Sequence, residues 1–104
     1  MRAKIHITNL YDATYISQHG DKFSIMETLN ILCDYNAPLP YGIDTTKANN
    51  YIKNYLDKAI QTDYELHICD SVFQSGDVSS KERVVTTVNT ISPTGTFYEV
   101  RLIL

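Results

Sequence analysis

With only four glycines, none of them clustered, the sequence has no turn that could lay successive backbone N–H groups around a phosphate. Mononucleotide and dinucleotide loops are therefore not expected. The serine-nucleophile pattern G-x-S-x-G and the zinc pattern H-E-x-x-H are missing too, so no catalytic motif of known mechanics is legible. No apolar run approaches the roughly 18–20 residues that span a bilayer, and no membrane association is expected. Basic residues are few, nine against twelve acidic ones for a formal charge of −3. That balance lacks the cationic stripe that backbone-phosphate binding needs, so no direct nucleic-acid binding is expected.

Cysteine is scarce as well. Cys33 and Cys69 accompany no secretory leader, and the expectation is two free, mostly buried thiols in a cytoplasmic protein, the host-cell cytoplasm if the chain is virus-encoded. Tryptophan is absent, but eight tyrosines and three phenylalanines are present. Tyrosine joins an apolar ring to a hydrogen-bonding tip, which suits surfaces that meet partners. A hydrophobic share of 43% with 20% charged residues is enough apolar matter for a folded core. With no repeat or linker visible, residues 1–104 read as one globular domain.

The patterning gives the elements. Ala3, Ile5 and Ile7 alternate with Lys4, His6 and Thr8, predicting a first strand over Ala3–Thr8. Asn9–Asp21 reads as a short strand or a long loop closed by the turn His19-Gly20-Asp21. Ser24 and Glu27 have the spacing of a capping box, so a helix begins there, and Pro38 and Pro40 bar its continuation. Asp44 offers a second N-cap. Ala48, Tyr51, Ile52, Tyr55, Leu56, Ala59 and Ile60 then follow at the spacing of one helical face, with both tyrosines in the core. From Tyr64 the period drops to two through Leu66 and Ile68, a strand that Val72 and Phe73 extend. Gln74–Lys81 reads as a polar loop. Glu82–Ile91 and Thr96–Leu104 flank Ser92-Pro93-Thr94-Gly95 as a hairpin. The expected fold is α+β, in the order β-α-α-β-β-β: a mostly antiparallel sheet of about four strands, with two helices packed on one face.

Three functional classes follow. The leading one is a small non-enzymatic protein-binding module, such as a partner-blocking inhibitor, an anti-defence factor of phages or mobile elements, or an immunity protein. Its partner is a protein, in one version a nucleic-acid-handling host protein whose basic groove an acidic domain occupies. The stiff connector Pro38-Leu39-Pro40-Tyr41 is the candidate binding loop, because a preordered extended segment loses little entropy on docking. Leu39 and Tyr41 rimmed by Asp57 and Asp63 form the candidate partner surface. The second class is a structural protein that forms a homodimer through a sheet edge, with the C-terminal strand as the exposed edge. The third is a small enzyme or metal binder using His6, Glu65, His67 and Cys69, since imidazole, thiolate and carboxylate together make a zinc ligand set. Ligands two apart along a strand diverge, so the expectation is no catalytic residue, no metal and no cofactor.

Overall fold

The computed structural model describes residues 7–34, 42–78 and 84–104. It opens on a 3-10 helix, Ile7–Tyr11, that buries Ile7 and Leu10. The strand expected over Ala3–Thr8 is thus wrong at its end, and its beginning lies outside the described residues. Here local turn bonds outcompete the alternation: the Asn9 carbonyl accepts from the Asp12 and Ala13 N–H groups at 3.0 and 3.1 Å, and the 3-10 turn points Leu10 into the core.

A two-stranded hairpin follows, β1 (Thr14–Ile16) and β2 (Lys22–Ser24), with Tyr15 opposite Phe23. Its turn is the expected one, closed by the Ser17 N–H on the Asp21 carbonyl at 2.9 Å. The His19 imidazole of this turn stands where a side chain on Gly42 would go, and Gly42 has φ +69°. Glycine at 42 therefore lets the turn seat against the approach to the second helix.

Helix α1 (Ile25–Asp34) starts on the predicted capping box. The Glu27 N–H donates to Ser24 Oγ and the Ser24 N–H to Glu27 Oε1, both at 3.0 Å, which satisfies donors that a helix start leaves open. Helix α2 (Thr45–Ala59) is capped by Asp44, whose Oδ1 accepts the Lys47 N–H at 2.9 Å. Ala48, Ile52 and Leu56 are fully buried along one stripe. Tyr51 is not core as expected, because it sits at the edge of that stripe, 43% exposed. Its ring meets Tyr15 edge-on at 5.2 Å and its hydroxyl donates to the Thr14 carbonyl at 2.6 Å. Tyr55 packs against the core, partly buried. No helix among the described residues is long and apolar enough to cross a membrane.

The main sheet contains β3 (Tyr64–Ile68), β4 (Ser71–Ser75), β5 (Val85–Ile91) and β6 (Phe97–Ile103), in the spatial order β4-β3-β6-β5, antiparallel throughout. Val72 and Phe73 do not extend β3. The chain reverses at Cys69-Asp70, with Cys69 at φ +45°, and returns as β4. Nor is the C-terminal strand an edge, since β6 pairs with β3 on one side and β5 on the other. Among the described residues the open edges are β4 and β5.

The register sorts the two faces of the sheet. Leu66 lies opposite Phe73 and Leu102, and Ile68 opposite Val100. With Tyr64 these form one continuous core with Ile25, Met26 and Leu29 of α1 and Ile52 and Leu56 of α2. Both helices therefore cover this inner face, and the α+β architecture is as predicted. The outer face alternates with it and carries Glu65, His67, Val72, Phe97, Glu99, Arg101, Val85, Thr87, Asn89 and Ile91.

Candidate functional site

Cys33, in the last turn of α1, and Cys69, in the β3–β4 turn, form a disulfide across Cα atoms 6.2 Å apart, where free thiols were expected. Two pattern elements remote in sequence meet because the end of α1 lies over the end of β3. The assignment of the thiols to a reducing compartment loses its ground. The bond also removes Cys69 as a nucleophile or thiolate ligand.

The other members of that constellation are placed differently from a metal site. His67 Nε2–H donates to Glu65 Oε1 at 2.9 Å on the outer face, and Arg101, directly across from His67, bonds Glu99 at 3.2 Å. Each of these nitrogen donors thus has its own carboxylate, and the strip is partly solvent-exposed. His6 lies outside the described residues. Among the described residues no cluster of three or more His, Cys, Asp or Glu side chains is arranged to hold a metal.

Of the expected partner surface, Leu39 and Tyr41 lie outside the described residues. Asp57 accepts from Lys53 Nζ at 2.6 Å and from the Tyr64 hydroxyl at 2.7 Å. These two bonds, first Lys53 and then Tyr64, hold its carboxyl below the usual aspartate range. Burial and then the same Asp57 bond push the Tyr64 phenol well above its ordinary value. The Asp63 carboxylate fills the space beside Gly76, at φ +71°, where a Cβ would collide with it. Asp57 therefore ties α2 to β3, and Asp63 packs beside the turn at Gly76.

The apolar groups that face solvent gather elsewhere. Ile91 and Phe97 lie directly opposite one another at the tip of the β5–β6 hairpin, 61% and 74% exposed. Ser92, Pro93, Thr94 and Gly95 hold that tip in a tight turn, with the Gly95 N–H on the Ser92 carbonyl at 2.9 Å and the Ser92 N–H on the Thr96 carbonyl at 2.8 Å. Asp34 at the end of α1 braces it, accepting from the Thr94 N–H at 3.2 Å and the Tyr98 hydroxyl at 2.8 Å. Burial alone would raise the Asp34 carboxyl, but hydrogen bonds from Ser92, Tyr98 and Thr94 outweigh it and hold the group below its ordinary value.

The pair stands between two hollows. Ile91 borders one of about 580 Å³, floored by Met26 and Ile31 and rimmed by Tyr11, Phe23 and Pro93. Phe97 borders a shallower, more polar one of about 370 Å³, with His67, Glu99 and Arg101. Such an apolar ridge on a braced hairpin, flanked by concavities, is chemically suited to contact, because large side chains on a preordered support lose little freedom when covered. Sequence reasoning placed both residues on the hairpin but not on its solvent side. The turn at Ser92–Gly95 sets Ile91 against Phe97, so the pair itself was legible. Which face it occupied was not, because apolar residues in Val85–Ile91 recur at 85, 88 and 91 rather than alternating.

Compared with known protein families, curated proteins and solved structures, the chain matches none.

Proposed function

We propose that the protein is a non-enzymatic binding module that acts by covering a surface of a partner protein, as an inhibitor does. The observation that carries this reading is the Ile91–Phe97 pair: two large apolar side chains held out on a hairpin braced by Asp34, beside hollows that a partner's side chains can enter. Exposing such a ridge has a solvation cost that a partner relieves. A host protein with a basic groove fits the chain's net charge of −3, and charge of that sign would speed encounter with it. The connector residues Leu39 and Tyr41, with Asp57 and Asp63, are a second proposed contact region.

The test is affinity capture from lysate of the native host with three baits: wild type, Phe97→Lys and Tyr41→Ala. The reading expects one near-stoichiometric partner, lost with Phe97→Lys while the thermal midpoint stays unchanged. A further loss with Tyr41→Ala assigns the connector to the same interface. Equal capture by wild type and both variants overturns these surfaces, and no partner at all overturns the module.

A further inference from the structure

The β5 edge and the hollow beside it form one receptor, an inference that rests on the protein-binding reading above. Val84 and Leu104 exchange backbone hydrogen bonds, and the Ser92 N–H bonds the Thr96 carbonyl. Bonded and non-bonded pairs alternate along an antiparallel ladder, so the even-numbered residues from 84 to 92 aim their N–H and C=O groups at β6. Val85, Thr87, Asn89 and Ile91 aim theirs away from it. Among the described residues none of these four has a backbone partner on that side. Three of the usual guards are missing from its sequence: Val85–Ile91 contains no charged residue and no proline, and its seven pairs with β6 run without a bulge, while the 3-10 helix packs near it. An edge of that kind is a template for a further strand.

A second, independent feature lies against the same edge. The hollow of about 580 Å³ is lined by Asn89 and Ile91 on one side and α1 on the other, with Met26 and Ile31 as its floor. Among the described residues that line it, Glu27 is the one charged residue and there is no cation. A segment pairing with Asn89 and Ile91 would send alternate side chains toward the helix, where an apolar one finds an apolar floor. A cationic one finds Glu27.

We propose that the Asn89–Ile91 edge and the hollow between it and α1 receive an extended segment of a partner protein. The segment pairs its backbone with Asn89 and Ile91, lodges one large apolar side chain over Met26 and Ile31, and sets a Lys or Arg beside Glu27. A free small ligand would use the floor but leave the outward amides of Asn89 and Ile91 unmet, and a second copy of this chain would bring no cation from its own β5 to Glu27.

The experiment is selection of a random heptapeptide display library on the full-length chain, followed by titration of the enriched peptides and amide chemical-shift mapping. The variants are Asn89→Pro, which deletes an outward N–H of the edge without removing a bond to β6, and Glu27→Gln, which removes the charge but keeps a capping-box side chain. The expected peptides combine an aromatic or branched apolar residue with Lys or Arg. Asn89→Pro weakens them about tenfold, as loss of one backbone hydrogen bond to the segment does, Glu27→Gln weakens them at low salt, and shifts centre on Asn89 and Ile91. N-methylation at the residues that pair with this edge abolishes binding. No enrichment, or enriched peptides that bind Asn89→Pro as they bind wild type, overturns the proposal. So does a concentration-dependent dimer that Asn89→Pro dissolves, which makes a second copy the occupant. A host partner held equally by wild type and Asn89→Pro overturns this receptor and leaves the binding-module reading standing. Peptide binding here with no host partner overturns the module reading and leaves the receptor.

Discussion

Thr90 on β5 donates its hydroxyl hydrogen to Asn30 Oδ1 on α1 at 2.7 Å, and Asn30 passes its own amide hydrogen to the Met26 carbonyl at 2.7 Å. Both side chains are buried. This bond fixes the distance between the β5 edge and the helix, and so the width of the hollow between them. Thr90→Val keeps the shape and leaves a buried acceptor unmet, which costs about 1–3 kcal/mol. Thermal or urea unfolding should show that loss with an unchanged denaturant slope. No change would mean that the bond is made to no advantage.

The Cys33–Cys69 disulfide ties the end of α1 to the β3–β4 turn. Cross-linking across a loop of this length restricts the unfolded chain, an effect of roughly 3–4 kcal/mol. Cys33→Ser/Cys69→Ser should therefore melt well below the wild type, by on the order of 10–25 °C. Alkylation of unreduced, denatured protein should find no free thiol. Two labelled cysteines would return the pair to the free state that the sequence suggested.

Two aspartates couple stability to acid. The carboxyls of Asp34 and Asp57 are held below their ordinary range in the fold, so each contributes stability above the unfolded aspartate value near 3.9. That contribution fades as pH falls through the lower folded value. Asp34→Asn should be less stable than wild type at neutral pH and should approach it below about pH 4. A constant difference from pH 7 to pH 2 would contradict the bracing role of Asp34. The alkaline limb has the opposite sign. Tyr64 and Tyr98 are raised, Tyr64 first by burial and Tyr98 first by its Asp34 bond, so both contribute below about pH 10 and lose that contribution above it. Tyr98→Phe should blunt the alkaline loss.

How far the sequence carried the account depends on where its signals are local. The Ser24–Glu27 box, the Asp44 cap and the Tyr64–Leu66–Ile68 alternation each follow from residues two or three apart, and each is met by the geometry. β4 was missed because Ser71–Ser75 has two apolar residues side by side and no alternation, and only pairing with β3 makes it a strand. The disulfide was missed for a related reason: spacing says nothing of which turns meet in space. The exposed ridge depends on β5 register, which tertiary packing decides. Thr90 faces inward because Asn30 is there to receive it, and that turns Ile91 out.

The most direct measurement is isothermal titration of the captured host partner into wild type and into the double variant Ile91→Lys/Phe97→Lys, with unfolding curves recorded on the same samples. Both positions are largely solvent-exposed, so the variant should unfold with the wild type. If the ridge is the interface, affinity falls by about 30-fold or more, the effect of removing a central anchor. Equal affinity with equal stability would contradict the account and place the contact elsewhere on the molecule.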